Sequence, residues 1–292
     1  MTEHQEPTIK FIDLFCGIGS FHYAFKKLGY ECVMASDIYQ PAIDNYKNNH
    51  GLEPLGDICD IEVDSIPDHS ILCCAPPCQS FSQAGKQKGF LDLRGTMFFH
   101  VMRIVESKKP KIVVLENVPA LLTNDNGNSF KTMKEDLENK GYRVIHRVLI
   151  CSDYGIPQKR KRLIMIAFSD NIIVNNIESF FDLTAYEKST TLSEYLGKDF
   201  KRTNAFTIRC GGRCSKITDR HNWDRYYIGD DGTEYRLTIE DALKLQGFID
   251  FSLTGKDTHK WKLLGNTIPT VFTEIIGKQL LKHCPVLRRD NA

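Results

Sequence analysis

The sequence predicts an α/β protein with a doubly wound, mostly parallel sheet and a small irregular lobe. Short apolar runs rich in β-forming residues alternate with helical patterns from residue 9 to residue 168, as in strand–helix–strand units. A glycine turn, Gly17-Ile18-Gly19, joins the first apolar run to the first helical pattern. After about residue 170 this alternation stops and turn residues replace it, so we expect a second, less regular part.

The predicted elements follow from hydrophobic periodicity and from residues that start or stop a helix. Predicted strands cover residues 9–15, 32–35, 70–75, 111–115, 143–150 and 163–168. Predicted helices cover residues 21–28, a segment that begins at Pro41, and residues 96–107, 129–139, 238–246 and 268–282. Pro41 suits the first turn of a helix, because its missing N–H would have no partner there. The crossover connections should be right-handed.

Two parts are expected, and the larger one is discontinuous in sequence. Residues 1–170 and 236–292 should form the large domain, because helical patterning returns in the second of these segments. Residues 171–235 should form the small lobe, in which Gly211-Gly212 and Asp231-Gly232 indicate turns. We find no internal repeat.

Composition and charge exclude few classes of protein. Hydrophobic residues make up 41% of the 292 residues and charged residues 26%, which is typical of globular proteins. The net charge is +1, which alone argues weakly against a nucleic-acid-binding protein. Local clustering reverses that argument, because seven basic residues and two acidic residues give residues 201–226 a charge of +5. The basic members are Lys201, Arg202, Arg209, Arg213, Lys216, Arg220 and Arg225.

The ten cysteines are expected to be reduced. The polar N-terminus has no apolar signal-peptide segment, and no apolar run approaches ~18 residues. We therefore expect a cytosolic or nuclear protein, most simply a cytoplasmic one. Cys32, Cys73, Cys74 and Cys151 lie in apolar runs and are expected in the core. A zinc site is not expected, because adjacent cysteines on a strand point to opposite faces.

Polar and glycine features at predicted strand ends indicate a ligand pocket. The glycine turn, Asp37, Asp57 and Pro77 each follow a strand, where open α/β sheets bind ligands. A carboxylate after the second strand suits a ribose diol, and Asp57 suits an exocyclic amine. His22 stands where a dinucleotide fingerprint has its third glycine, which disfavours a pyrophosphate. An adenosine ligand without phosphate, such as S-adenosylmethionine, fits better, although a tight turn without a ligand is an alternative.

Reactive side chains follow neighbouring strands. Cys78 leaves its strand after Pro76-Pro77, which fixes the backbone, and a thiol in that position is a candidate nucleophile. Glu116 ends the next strand, and Arg160 and Arg162 precede the last one. Each feature alone has a simpler explanation: a structural cysteine, a capping carboxylate and a solvated basic turn.

Five ordered segments together resemble the DNA cytosine-C5 methyltransferases. They are Phe11-Ile-Asp-Leu-Phe-Cys-Gly-Ile-Gly-Ser, Pro76-Pro-Cys-Gln, Glu116-Asn-Val, Gln158-Lys-Arg-Lys-Arg and Leu264-Gly-Asn-Thr-Ile-Pro. The middle of the chain is similar to the small bacterial modification methylases of restriction systems. The resemblance covers residues 10–168 and 236–280, and residues 171–235 would be the target-recognition lobe.

The resemblance implies a mechanism and a class I S-adenosylmethionine-dependent methyltransferase fold. Cys78 would add to C6 of a flipped-out cytosine in duplex DNA, and Glu116 would donate or share a proton at N3. Arg162 is expected at the base O2, and Arg160 beside the thiolate or at a DNA phosphate. Residues 79–97 would form a mobile loop that closes over the base.

The resemblance also implies binding residues. Cofactor contacts are expected from Phe15, Gly17, Gly19, Asp37, Ile38, Asp57, Ile58, Pro77, Asn266 and Ile268. DNA contacts are expected from Lys86, Lys88, Arg94, Arg209, Arg213, Lys216 and Arg220. Ile38 departs from the family, because many relatives have an aromatic residue there, and so does Ala75, where glycine is usual.

Alternative functions remain open at this point. A tRNA cytosine methyltransferase would share the scaffold, but the Cys-Phe-Thr signature of that class is missing from the sequence. A regulatory homologue without catalysis is disfavoured by the intact motifs, and a nucleotide-dependent oxidoreductase by His22. We expect a monomer that acts on double-stranded DNA, with a cognate restriction endonuclease as a further partner.

Overall fold

The fold is built from alternating strands and helices, and a computed structural model describes residues 8–77, 97–210 and 225–288. The strands are β1 (Lys10–Leu14), β2 (Glu31–Ser36), β3 (Ile71–Cys74), β4 (Ile112–Asn117), β5 (Tyr142–Ile150), β6 (Lys161–Ser169), β7 (Tyr226–Ile228) and β8 (Glu234–Arg236). The helices are α1 (Ser20–Lys27), α2 (Gln40–His50), α3 (Met97–Lys108), α4 (Asn128–Asn139), α5 (Leu192–Leu196), α6 (Ile239–Leu245), α7 (Asp257–Asn266) and α8 (Thr270–His283).

The main sheet has the strand order β2-β1-β3-β4-β6-β5 in the described residues. Strands β2, β1, β3 and β4 are parallel, whereas β6 is antiparallel to both of its neighbours. Strand β5 therefore runs in the same direction as β4, and β6 alone is reversed. The start of β6 consequently lies at the edge of the sheet where β1 to β4 end, which brings Arg162 close to Glu116.

Both faces of the sheet are covered, as a doubly wound fold requires. Alternate strand residues face α1 and α8 on one side and α3 and α4 on the other. Phe11, Cys73 and Val114 belong to the first layer. Ile12 and Cys74 belong to the second. The predicted fold class and the core cysteines on β3 are thus confirmed.

Two local expectations are corrected by the structure. Residues 257–266 form α7, a helix that the sequence pattern did not predict. The last helix begins at Thr270, two residues after the predicted start at residue 268, and Gly265 and Asn266 close α7.

The segment after β6 divides between the large domain and the lobe. Ile172, Phe180 and Leu183 are buried in the same core cluster as α8. His283 Nδ1 hydrogen-bonds Asn175 O in that region. The rest of the lobe, around α5 and the β7–β8 hairpin, shares a core cluster with α6 and α7. The predicted boundary at residue 171 stays a prediction, and this packing favours a later one. None of the helices among the described residues is long and apolar enough to span a bilayer.

Candidate active site

The glycine turn after β1 lies at the end of the sheet and contains two glycines with different tasks. Gly17 and Gly19 both have positive φ, at 56° and 84°. A Cβ on Gly17 would have no heavy atom within 4 Å, so its backbone is open to a ligand. A Cβ on Gly19 would lie 2.3 Å from His50 Nε2 and 2.7 Å from Tyr46. A side chain at position 19 would therefore collide with α2. This packing requires glycine there, whereas the sequence analysis expected the requirement to come from a nearby ligand.

Asp37 follows β2 and faces the glycine turn. Its carboxylate accepts hydrogen bonds from Gly17 N and Tyr39 N, both at 2.8 Å. Burial raises the pKa of Asp37, and these N–H groups and the charge of Lys262 limit the rise. Each oxygen has one protein donor and further lone pairs, so the carboxylate can also accept two hydroxyl hydrogens. Ile38 beside it is 73% exposed and presents an aliphatic surface.

The other side of the pocket is formed by the loop between α2 and β3, so Asp57 does not directly follow a strand as expected. Asp57 is half-buried and accepts a hydrogen bond from Cys59 N at 2.9 Å, which lowers the pKa of its carboxyl. Ile58 is buried in the core, and Ile268 near the end of the chain is equally buried. These two side chains cannot line an open pocket, so any contact with a cofactor would come from their backbone. Arg103 Nη2 supports the loop by donating to Ile58 O at 3.0 Å.

The rim next to this pocket carries a buried ion pair. Arg162 Nε lies 2.6 Å from Glu116 Oε1, and neither side chain is more than about one tenth exposed. Burial raises the pKa of Glu116, and the charges of Arg162 and Arg160 oppose the rise. Asn117 Nδ2 donates to Pro76 O at 3.1 Å, which ties the end of β4 to the proline stem before residue 78.

The burial of Arg160 excludes one of the two positions expected for it, contact with a DNA phosphate. Its side chain has no exposed surface, and its guanidinium donates to the carbonyls of Ile208 (2.8 Å), Gly265 (2.8 Å) and Thr267 (2.6 Å). A cation enclosed in this way cannot contact a DNA phosphate. Arg160 instead joins three backbone segments, while Arg162 remains on the rim with Glu116.

Asn266 lies at the end of α7 and is exposed. The thiol of Cys210 donates to Asn266 Oδ1. Arg209 is partly exposed, and its backbone packs directly against Gly265, which has no room for a Cβ. Arg209 and Cys210 of the basic segment therefore lie beside the C-terminal motif that contains Asn266.

Several predicted residues lie outside the described residues. They are the candidate nucleophile Cys78 and the candidate DNA contacts Lys86, Lys88, Arg94, Arg213, Lys216 and Arg220. Arg225 of the basic segment is described and is buried, with its guanidinium 3.9 Å from the ring centroid of Trp261. That basic residue supports the lobe and is not available for DNA in this conformation.

A polar cluster beneath the glycine turn was missed by the sequence analysis. His22 Nδ1 lies 2.9 Å from Tyr46 OH, and its ring stacks on His50 at a centroid distance of 4.4 Å. His50 Nε2 is 3.0 Å from Ile18 O, so it holds the turn. Burial lowers the pKa of His22 to about 3, so this imidazole is neutral at pH 7, and burial also raises the pKa of Asp13 well above its ordinary value. The one available signal was His22, an imidazole in a glycine position.

Comparisons with known proteins agree with this geometry. Residues 9–209 match the family described as C-5 cytosine-specific DNA methylase. The type II methyltransferase M.HaeII of Haemophilus aegyptius is 47% identical over 310 residues, covering 96% of this chain and 95% of that protein. The type II methyltransferase M.HhaI of Haemophilus parahaemolyticus is 43% identical over 194 residues, covering 66% of this chain and 59% of that protein.

The fold also matches solved structures. The crystal structure of the S. pombe Dnmt2 methyltransferase superposes with a TM-score of 0.73, covering 94% of this chain and 99% of that one, at 20% identity. That likeness shows the fold alone. The family match, the full-length relative and the ordered motifs together establish the activity of a DNA (cytosine-5-)-methyltransferase. The chain therefore belongs to the C-5 cytosine-specific DNA methylase family, with the type II methyltransferases of restriction–modification systems as its relatives.

Proposed function

We propose that this protein methylates C5 of a flipped-out cytosine within a specific short sequence of duplex DNA, through a covalent bond between Cys78 and C6. The observation that carries the proposal is the buried Glu116–Arg162 pair on the rim that the Pro76-Pro77 stem reaches. The cytosine has to be protonated at N3 and held at O2. A buried carboxyl with a raised pKa suits the first task, and a fixed guanidinium beside it suits the second.

The chemistry at the base needs a nucleophile, because C5 of cytosine is a poor one. The Cys78 thiolate would add to C6, and the electron pair of the C5–C6 bond would become available at C5. Glu116 would supply the proton at N3, while Arg162 holds O2. After methylation, a base would take the C5 proton, the thiolate would leave C6, and N3 would return its proton to Glu116. These steps would restore the aromatic ring and free Cys78.

The pocket fits S-adenosylmethionine, which the family uses. Gly17 is open to a ligand, Asp37 has lone pairs left for ribose hydroxyls, and Asp57 can accept from an adenine amine. Phe15, Pro77 and Asn266 are at least partly exposed around the same end of the sheet. The cofactor, when bound, supplies the methyl group as an electrophilic sulfonium.

DNA would approach from the rim and the lobe. Lys86, Lys88 and Arg94 are proposed to hold phosphates around the flipped base, and Arg209, Arg213, Lys216 and Arg220 to contact the duplex. Arg209 is the described member of the second group, and its place beside Gly265 supports an interface next to the cofactor pocket. A monomeric state, a cytoplasmic location and a cognate endonuclease stay predictions.

The test is methylation of a plasmid by the purified protein, followed by bisulfite sequencing. We expect methylcytosine at one position of one short recurring sequence. Methyl incorporation into tRNA and none into duplex DNA would overturn the proposed substrate.

The role of Cys78 is tested separately with DNA that contains 5-fluorocytosine at the target. The unaltered protein should form a covalent adduct, since a fluorine at C5 blocks the elimination. Cys78→Ser should bind S-adenosylhomocysteine normally and form no adduct, and an adduct with this variant would contradict the assignment. Cys59→Ser is the matched control, because Cys59 is a half-buried cysteine elsewhere in the pocket wall.

A further inference from the structure

Two segments with different proposed tasks meet at one joint. The joint is made by Arg160, Ile208, Cys210, Gly265 and Thr267. The Arg160 guanidinium donates from Nη1 to Ile208 O and from Nη2 to Gly265 O and Thr267 O, at 2.6–2.8 Å. Ile208 lies within the basic segment, residues 201–226. Gly265 and Thr267 flank Asn266, which the proposed function places at the cofactor.

The backbones of the two segments also touch directly at this joint. A Cβ on Gly265 would lie 2.2 Å from Cys210 N and 2.3 Å from Arg209 C, so the contact tolerates no side chain. The Cys210 thiol donates to Asn266 Oδ1 on the same face. These contacts do not depend on Arg160, and they join the same two segments.

Burial makes the joint sensitive to small displacements. The Arg160 side chain has no exposed surface, so water cannot replace a lost carbonyl partner. A buried donor left without a partner is costly, especially when it is charged. Movement of either segment by a fraction of a hydrogen-bond length is therefore resisted unless the other segment moves with it.

We propose that Arg160 is a positioning residue that couples cofactor binding at Asn266 to DNA binding at the basic segment. The proposal rests on the proposed function, because it requires that DNA contacts this segment. Coupling between two binding sites is reciprocal, so DNA should tighten cofactor binding by the same factor by which the cofactor tightens DNA binding.

The experiment measures the dissociation constant of S-adenosylhomocysteine by calorimetry, with and without a duplex that carries the site found by bisulfite sequencing. For the unaltered protein we expect DNA to lower this constant about tenfold, within the usual range of allosteric coupling. For Arg160→Lys the ratio should fall to about one to two, because an ammonium lacks the planar fork that reaches both segments.

Two further variants separate coupling from simple damage to the pocket. Arg103→Lys is the matched control, since Arg103 donates to Ile58 O and Ile61 O and so supports the cofactor pocket from the other side. It should weaken cofactor binding and leave the ratio unchanged. Cys210→Ala removes the thiol that donates to Asn266 Oδ1 and leaves the hydrogen bonds of Arg160 in place. It should reduce the ratio, which keeps the test decisive if Arg160→Lys fails to fold.

A ratio of one for the unaltered protein would overturn the coupling, and so would an unchanged ratio in both Arg160→Lys and Cys210→Ala. An equal loss of the ratio in Arg103→Lys would also overturn it, because the effect would not be specific to the joint. Methylation of plasmid DNA by the unaltered protein would stand in all of these cases. Failure of the proposed function would instead appear as a plasmid without methylcytosine.

Discussion

The two sides of the candidate site handle buried titratable groups in opposite ways. Beneath the glycine turn, burial raises the pKa of Asp13 and lowers those of His22 and His50, so it disfavours the charged form of each group. On the catalytic rim, Glu116 and Arg162 are equally buried but form an ion pair at 2.6 Å. A neutral cluster can support a binding loop without a counter-charge, whereas a pair that moves a proton depends on both of its members.

This comparison predicts its largest effect at the carboxyl of the rim. Glu116→Gln keeps the shape and a hydrogen bond to Arg162 but cannot transfer a proton, so kcat should fall by about 10²–10⁴-fold. Methyl incorporation into the identified duplex would measure this loss, while binding of S-adenosylhomocysteine should stay within about twofold.

The pH profile sharpens the same prediction. The raised pKa of Glu116 means that its proton is lost at a higher pH than from an ordinary glutamate. If the acid form is required, kcat/KM of the unaltered protein falls as pH rises through that pKa. The residual activity of Glu116→Gln should lack this decline, and an identical decline in both proteins would exclude Glu116 as the proton source.

The second effect concerns stability and distinguishes a charged pair from a neutral cluster. Arg162→Met leaves the Glu116 carboxyl buried without its partner, which should lower the free energy of unfolding by about 3–5 kcal/mol at pH 8. The double variant Glu116→Gln with Arg162→Met should recover most of that loss, because the buried carboxylate is removed together with its partner. Urea denaturation measures the free energy of unfolding of both variants. Equal destabilisation in the single and double variants would show that the unpaired carboxylate is not the cause of the loss.

The third effect lies in the neutral cluster and depends on acid. His22 has a pKa of about 3 in the folded protein and an ordinary value of 6.5. The unfolded chain therefore binds more protons between these values, and stability is lost as pH falls from 6.5 towards 3. His22→Gln keeps a partner for Tyr46 and removes this loss, which should amount to about 3 kcal/mol between pH 7 and pH 4.

The free energy of unfolding has to be compared between His22→Gln and the unaltered protein at each pH. Asp13 has a raised pKa, so its contribution to stability grows as pH falls and opposes that of His22. Urea denaturation of the unaltered protein alone would mix the two. If the gap between His22→Gln and the unaltered protein is the same at pH 7 and pH 4, His22 does not carry the acid sensitivity.

The same comparison explains what the sequence could and could not predict. Asp37, Glu116 and Arg162 were predicted because they stand directly at strand ends, and strand ends follow from local hydrophobic patterns. The reversed direction of β6 was not predictable in this way, since the apolar run of residues 163–168 has no signal of direction. Helix α7 was missed, although Trp261 in it is buried.

The task of Arg160 depended on information that a motif does not contain. Its partners are backbone carbonyls 48, 105 and 107 residues away, and every residue type offers the same carbonyl. The cluster of His22, Tyr46 and His50 is similar, because the contacts across 24 and more residues arise only when α1 packs on α2. A motif thus indicates which charged residues to consider, but the burial that decides their role comes from tertiary packing.

The smallest effect is expected on the open side of the cofactor pocket, where a substitution should improve binding. Ile38 is 73% exposed beside Asp37 and stands where many relatives have an aromatic residue. Ile38→Trp should let the adenine stack on an indole, and an aromatic contact of about 0.5–1.5 kcal/mol would tighten S-adenosylhomocysteine binding about two- to tenfold. Ile173→Trp is the matched control, because Ile173 is 75% exposed and lies after β6, away from Asp37. If calorimetry shows no tightening for Ile38→Trp, the adenine lies elsewhere. An exposed indole at this position does not disturb the fold, so unchanged binding would mean that no ligand ring stacks on it.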